Sequence, residues 1–381
     1  MAEAIQHEPS VARRRITELL KQADVEVDGF RPFDLRVHDE RFFRRVLAQG
    51  ALGLGESYMD GWWDCADLPG LFCRIALGDV EHKLPRTPAL VLEAAKARLL
   101  NLQSRSRATF VANLHYNATI DAYQSMTDRW VTLSCAYWKT ARTLDEAQEA
   151  KLDLIAKKLQ LKPSDRVLDI GCGFGAFARF TAQRYGCSIV GINVSEEQLR
   201  RARELSGDLP IEYRLADYRD VGAYWDGRPF DAIVSTGMFE HVGFKNYRAY
   251  MAVAHQTLKP GGLFLLHTIG SNVTTTTNDP WFDRYIFPNG LLPSIRHIGT
   301  SIEGLFVMED WHNFGADYEK TLIAWYENFE RKWTGDTSDR FFRMWRYYLL
   351  SAAGIGRSRT KQLWQIVLSK GGVPGGYASV R

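Results

Sequence analysis

Three alternating glycines, Gly171, Gly173 and Gly175, follow the apolar run Val167, Leu168 and Ile170, with a carboxylate at Asp169 two residues before the first glycine. A buried strand that runs straight into such a turn exposes bare main chain to a ligand, because glycine adopts backbone angles that side chains obstruct. The spacing G-x-G-x-G differs from the dinucleotide fingerprint G-x-G-x-x-G, which also places an acid on the ribose about 20 residues later. The second strand, near residues 187–191, ends at Asn193, so no pyrophosphate is expected. A small cationic nucleoside fits better. The turn meets its amino-acid portion, Asp169 offers charge to an ammonium or orders the turn, and the end of the second strand meets the ribose. That describes S-adenosylmethionine; the competing reading is a tight strand-to-helix turn with no ligand.

Four further positions have side chains able to do chemistry. They are Cys135 in SCAYW (134–138), Glu240 in MFEHVG (238–243), His267 in LLHTIG (265–270) and Tyr318 in WHNFGADY (311–318). Glu240 follows the fourth strand and His267 ends the fifth, so both are expected to point into the crevice that holds the cofactor. Taken singly, each has an ordinary alternative: a buried thiol behaves as a small hydrophobe, a glutamate caps a helix, a strand-end histidine is structural, and a tyrosine packs its ring.

The elements that must position these groups begin near residue 145. A helix over 144–159 precedes a strand at 167–170, a helix over 176–185 follows the glycines, and Ser195 is an N-cap with acids in the first turn. Strands are predicted at 188–192, 211–214, 230–235 and 263–266, with two more at 305–311 and 364–368. The fold class is therefore α/β, a doubly wound mixed sheet with ligands at the carboxyl ends of its strands. Residues 1–105 read as a smaller N-terminal domain with a basic helix over 11–22 and its linker, and 106–381 as the catalytic domain. Between Glu93 and Ile120 no acidic residue occurs, while Lys96, Arg98, Arg105 and Arg107 alternate with apolar residues. Such a segment lies on an anionic lipid surface or is a solvated interdomain helix, and spacing alone favours the second. The stretch 271–304, with Trp281, Tyr285 and Phe287, is a lid over an apolar substrate or a surface loop anchored by its aromatics. The glycine-rich tail from Gly371 reads as mobile.

With 381 residues and 45% hydrophobic content, the chain can bury the cores of two domains. A net charge of +3 from 48 basic and 45 acidic side chains gives no argument for nucleic acid. The five cysteines, at 65, 73, 135, 172 and 187, include no C-x-x-C pair, so neither a disulfide framework nor a zinc site is indicated and a reducing compartment is expected. No window approaches the ~20 apolar residues of a membrane span, and the N-terminus lacks a signal-peptide core.

Read together, SCAYW, MFEHVG, LLHTIG, YIFPNG (285–290), WHNFGADY and the N-terminal LGLGESYMDGWW (52–63) resemble the bacterial cyclopropane fatty acid synthases over nearly the whole chain. The resemblance implies a class I methyltransferase fold and transfer of a methylene from S-adenosylmethionine to a cis double bond of a phospholipid acyl chain. A bicarbonate ion serves as the base in that family, held by residues matching Cys135, Glu240, His267, the backbone at Ile269, and Tyr318. Cofactor contacts would correspond to Tyr116, Ser134, Asp169, Gly171, Gly173, Asn193, Gln198, Asp217 and Tyr218. Tyr137, Trp138, Phe239 and Tyr318 offer ring faces to a cation, and a metal is unnecessary. The implied partners are unsaturated membrane phospholipids and a second copy in a homodimer, at the cytoplasmic face of the inner membrane. Three departures stand out. The segment usually written HYDLGND reads HYNATID (115–121), Phe174 and Ala176 replace the usual tryptophan and a common glycine, and Ala352 stands where some members have cysteine.

Overall fold

Aromatic residues spaced along short helices build the smaller of two units in the computed structural model, which describes residues 10–83, 101, 103 and 120–381. Helices Arg41–Gln49, Ala51–Met59 and Leu68–Leu77 accompany a two-stranded antiparallel ribbon, β1 (Arg36–Val37) and β2 (Trp63–Asp64). Tyr58, Trp63, Trp281 and Tyr347 fill its centre, with ring centroids 4.5 Å apart for the Trp281–Tyr347 pair. The unit is not contiguous in sequence, because residues 279–286 and 334–360 belong to it. A boundary near residue 105 therefore does not describe these contacts. Arg343, on the helix Arg340–Arg357, donates to the carbonyls of Tyr58 and Trp63 at 2.6 and 3.0 Å. Trp281 is 1% exposed, so this residue of the 271–304 stretch is core of the smaller unit, whereas Phe287 belongs to the larger one.

The larger unit is a seven-stranded sheet in the order β5-β4-β3-β6-β7-β9-β8. Its strands are β3 (Arg166–Ile170), β4 (Ser188–Asn193), β5 (Ile211–Leu215), β6 (Phe230–Thr236), β7 (Leu258–Ser271), β8 (Val307–Asn313) and β9 (Lys361–Ser369). β3 to β7 pair in parallel, and β9 joins β7 and β8 antiparallel. Near-continuous apolar runs are what parallel strands covered on both faces require. Two apolar layers, one around Ile233, Phe264 and Tyr250, the other around Val167, Phe177 and Leu265, cover those faces.

Two expectations change. β7 continues well past residue 266, because β9 pairs with it as far as Ser271 and places Gln365 opposite His267; polar residues there sit inside a strand. The tail after Gly371 is tied down. Tyr377 Oη donates to the Lys158 carbonyl at 2.8 Å, and Arg381 and Ser379 both reach Asp310. The basic run after Glu93 lies outside the described residues up to 119, apart from Asn101 and Gln103. Among the described residues, no helix is long and apolar enough to cross a membrane.

Candidate functional site

Strand order reverses between β3 and β6, from which the chain winds outward in opposite directions. An open α/β sheet forms a crevice at such a point, outside the carboxyl ends of the strands. Residues 171–175 leave β3 there, and residues 237–241 leave β6.

Gly171, Gly173 and Gly175 have φ of 83°, 54° and 74°. A Cβ at Gly175 would collide with the Tyr213 hydroxyl, and one at Gly171 with Met238, whereas at Gly173 it would meet no atom within 4 Å. The protein's own packing demands the outer two glycines, and the middle one leaves room against main chain. Asp169 is buried with Oδ1 lacking a hydrogen-bond partner. Burial pushes its carboxyl up to about 7, while the Lys151 ammonium pulls it down. Asn193 accepts from the Val194 amide and donates to Gln198 Oε1, both at 2.8 Å. Asp217 is gripped by Arg219 through two bonds of 2.7 Å, and the Tyr218 hydroxyl is buried without a partner. The orphaned Asp169 and Tyr218 atoms and the room at Gly173 fit a nucleoside with an amino-acid end, so these residues and Ser134 would hold S-adenosylmethionine. Tyr116 lies outside the described residues.

The second cluster adjoins the carboxyl ends of β6 and β7. Glu240 stands in the 3-10 turn Phe239–His241, and its Oε1 accepts from the Ile269 amide at 2.7 Å. That bond ties the Ile269 main chain to the carboxylate and helps to aim it. Oε2 of Glu240 has no hydrogen-bond partner, and burial pushes the carboxyl up to about 7 against the lowering effects of the Ile269 amide and the Thr268 hydroxyl. His267 is 1% exposed, and its Nδ1 lies 3.3 Å from Nε2 of Gln365. With that amide as donor, the ring proton sits on Nε2, which is buried and unpartnered. Burial drives His267 well below the usual imidazole range, so the ring is neutral at neutral pH.

Cys135 is 1% exposed and shares an apolar cluster with Phe314, Leu363, Tyr137, Ile269 and Tyr318. The Phe314 ring is 5.9 Å from that of His267. Burial, with Cys135 and Glu240 nearby, raises the Tyr318 phenol. The four predicted side chains therefore converge. Burial holds the Cys135 thiol well above its usual range, and it donates to the Ala136 carbonyl; it is a neutral wall, not a nucleophile. Phe239 instead stacks on Tyr247 at 4.1 Å within the core.

Sequence reading missed four supporting residues. Thr321, one helical turn after Tyr318, is fully buried, and its Oγ1 accepts from the Ala136 amide and Trp138 Nε1 at 3.1 and 3.0 Å. Gln365 is the polar interruption in the buried run LWQIVL of β9, a visible signal. Lys151 and Gln148 are charged and polar residues on the buried face of the helix Leu144–Lys158.

The family described as mycolic acid cyclopropane synthetase matches residues 103–366. Over 361 residues the chain is 51% identical to the cyclopropane-fatty-acyl-phospholipid synthase of Escherichia coli strain K12, covering 94% of this chain and 93% of that protein. The structure of the cyclopropane synthase MmaA2 from Mycobacterium tuberculosis is similar with a TM-score of 0.61 and 29% identity, covering 67% of this chain and 96% of that one. Mycolic acid cyclopropane synthase CmaA1, solved with SAH and CTAB, gives a TM-score of 0.60 at 28% identity, covering 69% and 98%. The sheet, its glycine turn and its neighbours share the class I methyltransferase fold. The chain belongs to the mycolic acid cyclopropane synthetase family of enzymes.

Proposed function

We propose that this enzyme transfers a methylene group from S-adenosylmethionine to the cis double bond of an unsaturated phospholipid acyl chain, closing a cyclopropane ring, with bicarbonate as the base. The observation that carries the reading is the pair of buried, unpartnered polar atoms, Glu240 Oε2 and His267 Nε2, in a wall otherwise made of Cys135, Phe314, Ile269 and Tyr318. Relatives that share this fold and carry such a name support it.

S-adenosylmethionine, when bound, supplies an electrophilic methyl group; the alkene supplies electrons, and loss of one proton from the transferred carbon lets the ring close. The protein's part is to align a weak nucleophile in a dry site, which contributes up to about 7 to 11 kcal/mol. His267 Nε2–H and the Tyr318 hydroxyl donate, and Glu240 Oε2 accepts. Donors beside a single acceptor match an anion that carries one O–H, as bicarbonate does. Burial pushes the Glu240 carboxyl up to about 7, so Oε2, as acceptor for the anion's O–H, would pass on the proton that the base takes from carbon and release it again in each cycle. Tyr137 and Tyr318 offer ring faces to positive charge on carbon.

In this reading residues 1–105 serve lipid binding, the protein sits peripherally on the inner membrane surface, and the active form is a homodimer. The test is incubation with S-adenosylmethionine and vesicles of cis-unsaturated phospholipid, followed by mass and proton NMR analysis of the acyl chains. One added methylene per double bond with ring-proton signals supports the proposal. A methyl-branched or methylene-bearing chain would point to a methyltransferase without ring closure, and unaltered lipid under saturating cofactor would refute both.

A further inference from the structure

Lys151 is the strangest resident of the larger unit: an ammonium with 1% of its side chain exposed, on a helix whose neighbouring buried residues are Leu152, Leu154 and Ile155. Burying a cation is costly unless something compensates it. Its Nζ lies 2.8 Å from Ser134 Oγ, and Gln148, one turn earlier on the same face, donates to the Ser134 carbonyl at 2.9 Å. Residue 134 is thus held at both side chain and main chain by a single helix. The loop that carries it is fixed from behind as well, because the Asp128 carboxylate accepts from the Trp130 and Thr132 amides at 2.9 and 2.8 Å.

A lysine ammonium can only donate. Ser134 Oγ must therefore accept from Nζ, and its own proton is committed to pointing elsewhere. Burial pulls the Lys151 ammonium down to about 8, against the carboxyls of Asp128 and Asp169, so it stays charged at neutral pH, and Asp169 Oδ1 is buried without a hydrogen-bond partner. One pole of the crevice thus combines a carboxylate with a cation-backed hydroxyl donor. Those are the complements of the two ends of an amino-acid zwitterion: the carboxylate of Asp169 for its ammonium, and the Ser134 hydroxyl for its carboxylate.

We propose that Lys151 is a positioning residue for the amino-acid carboxylate of the bound nucleoside, acting through Ser134, whose hydroxyl it locks as a donor toward the ligand. The inference rests on the reading of the crevice as an S-adenosylmethionine site. It assigns Lys151 a task in ligand discrimination beyond that of counter-charge for Asp128 and Asp169.

The test uses the full chain and two ligands, S-adenosylhomocysteine, which carries the amino-acid end, and 5′-methylthioadenosine, which lacks it. Both are titrated by calorimetry into the wild type, K151M and K151Q, with thermal melts of the ligand-free proteins as a check on folding. The expected result for K151M is a loss of about ten- to a hundredfold in affinity for S-adenosylhomocysteine, with 5′-methylthioadenosine changed less than about twofold. K151Q, which keeps a donor for Ser134 without the charge, should fall between K151M and the wild type, and it decides the matter if K151M does not fold. Equal losses for the two ligands would mean that Lys151 only supports the fold, and an unchanged ratio in either variant overturns the assignment. If the wild type binds neither ligand, the reading of the crevice itself fails; if it binds both and the variants bind alike, only the role of Lys151 does.

Discussion

Replacing Glu240 by Gln should make the protein more stable at alkaline pH while abolishing most of its turnover. The carboxyl is fully buried and titrates near 7 instead of the usual 4.5. Below about pH 4.5 it is protonated in both the folded and the unfolded chain, and this group contributes no difference. Between 4.5 and 7 the unfolded chain gives up the proton and the folded chain keeps it, so the folded state loses ground as pH rises; above 7 the loss is complete. At about 1.4 kcal/mol for each pH unit, the displacement amounts to about 3 kcal/mol. A glutamine keeps the acceptor for the Ile269 amide and never ionises, so the E240Q variant escapes that loss. Thermal unfolding of the two ligand-free proteins, followed from pH 4.5 to 8, should show the melting temperature of E240Q gaining on the wild type by roughly 5 °C across the range. Turnover at pH 7 should fall by about a hundredfold or more, with affinity for S-adenosylhomocysteine within about threefold of the wild type. A stability difference that stays flat with pH would mean that Glu240 does not titrate in the fold, and unaltered turnover would remove it from the chemistry.

Two glycine substitutions separate packing from ligand contact. G175A forces alanine to φ 74° against the Tyr213 hydroxyl and should lower the melting temperature by several degrees, whereas G173A meets no protein atom and should cost only about 1 kcal/mol while weakening S-adenosylhomocysteine binding at least about tenfold in calorimetry. Q365L leaves His267 Nδ1 without its partner and frees the tautomer; steady-state assays should show kcat reduced by about tenfold or more with cofactor KM unchanged, and a change in KM alone would show that the pair only shapes the cofactor site.

The glycine turn and the succession of strands and helices were legible because each depends on local pattern, apolar runs bounded by glycine; Glu240, His267, Cys135 and Tyr318 drew attention as reactive side chains near strand and loop ends. Less local features were hidden. The strand β7 looked finished at Leu266 because His267 and Thr268 are polar, yet β9, nearly a hundred residues later, supplies Gln365 opposite His267 and carries the ladder on to Ser271. The tail after Gly371 looked mobile by composition, but Tyr377, Ser379 and Arg381 anchor it through partners at Lys158 and Asp310 that no window of sequence places nearby. The same holds for residues 279–286, whose Trp281 completes an aromatic core begun at Tyr58 and Trp63. Thr321 and Lys151 act through hydrogen bonds to the 134–138 segment, and a threonine or lysine in a helix gives no sign of that in its own spacing.

The proposed role of bicarbonate at the Glu240 and His267 cluster is best examined by measuring ring formation in carbonate-free buffer and then returning bicarbonate in steps. The rate should be low at first and rise saturably with bicarbonate in the wild type, with no recovery in the E240Q variant. A wild-type rate that is the same with and without bicarbonate, with cyclopropane still the product, would contradict the assignment.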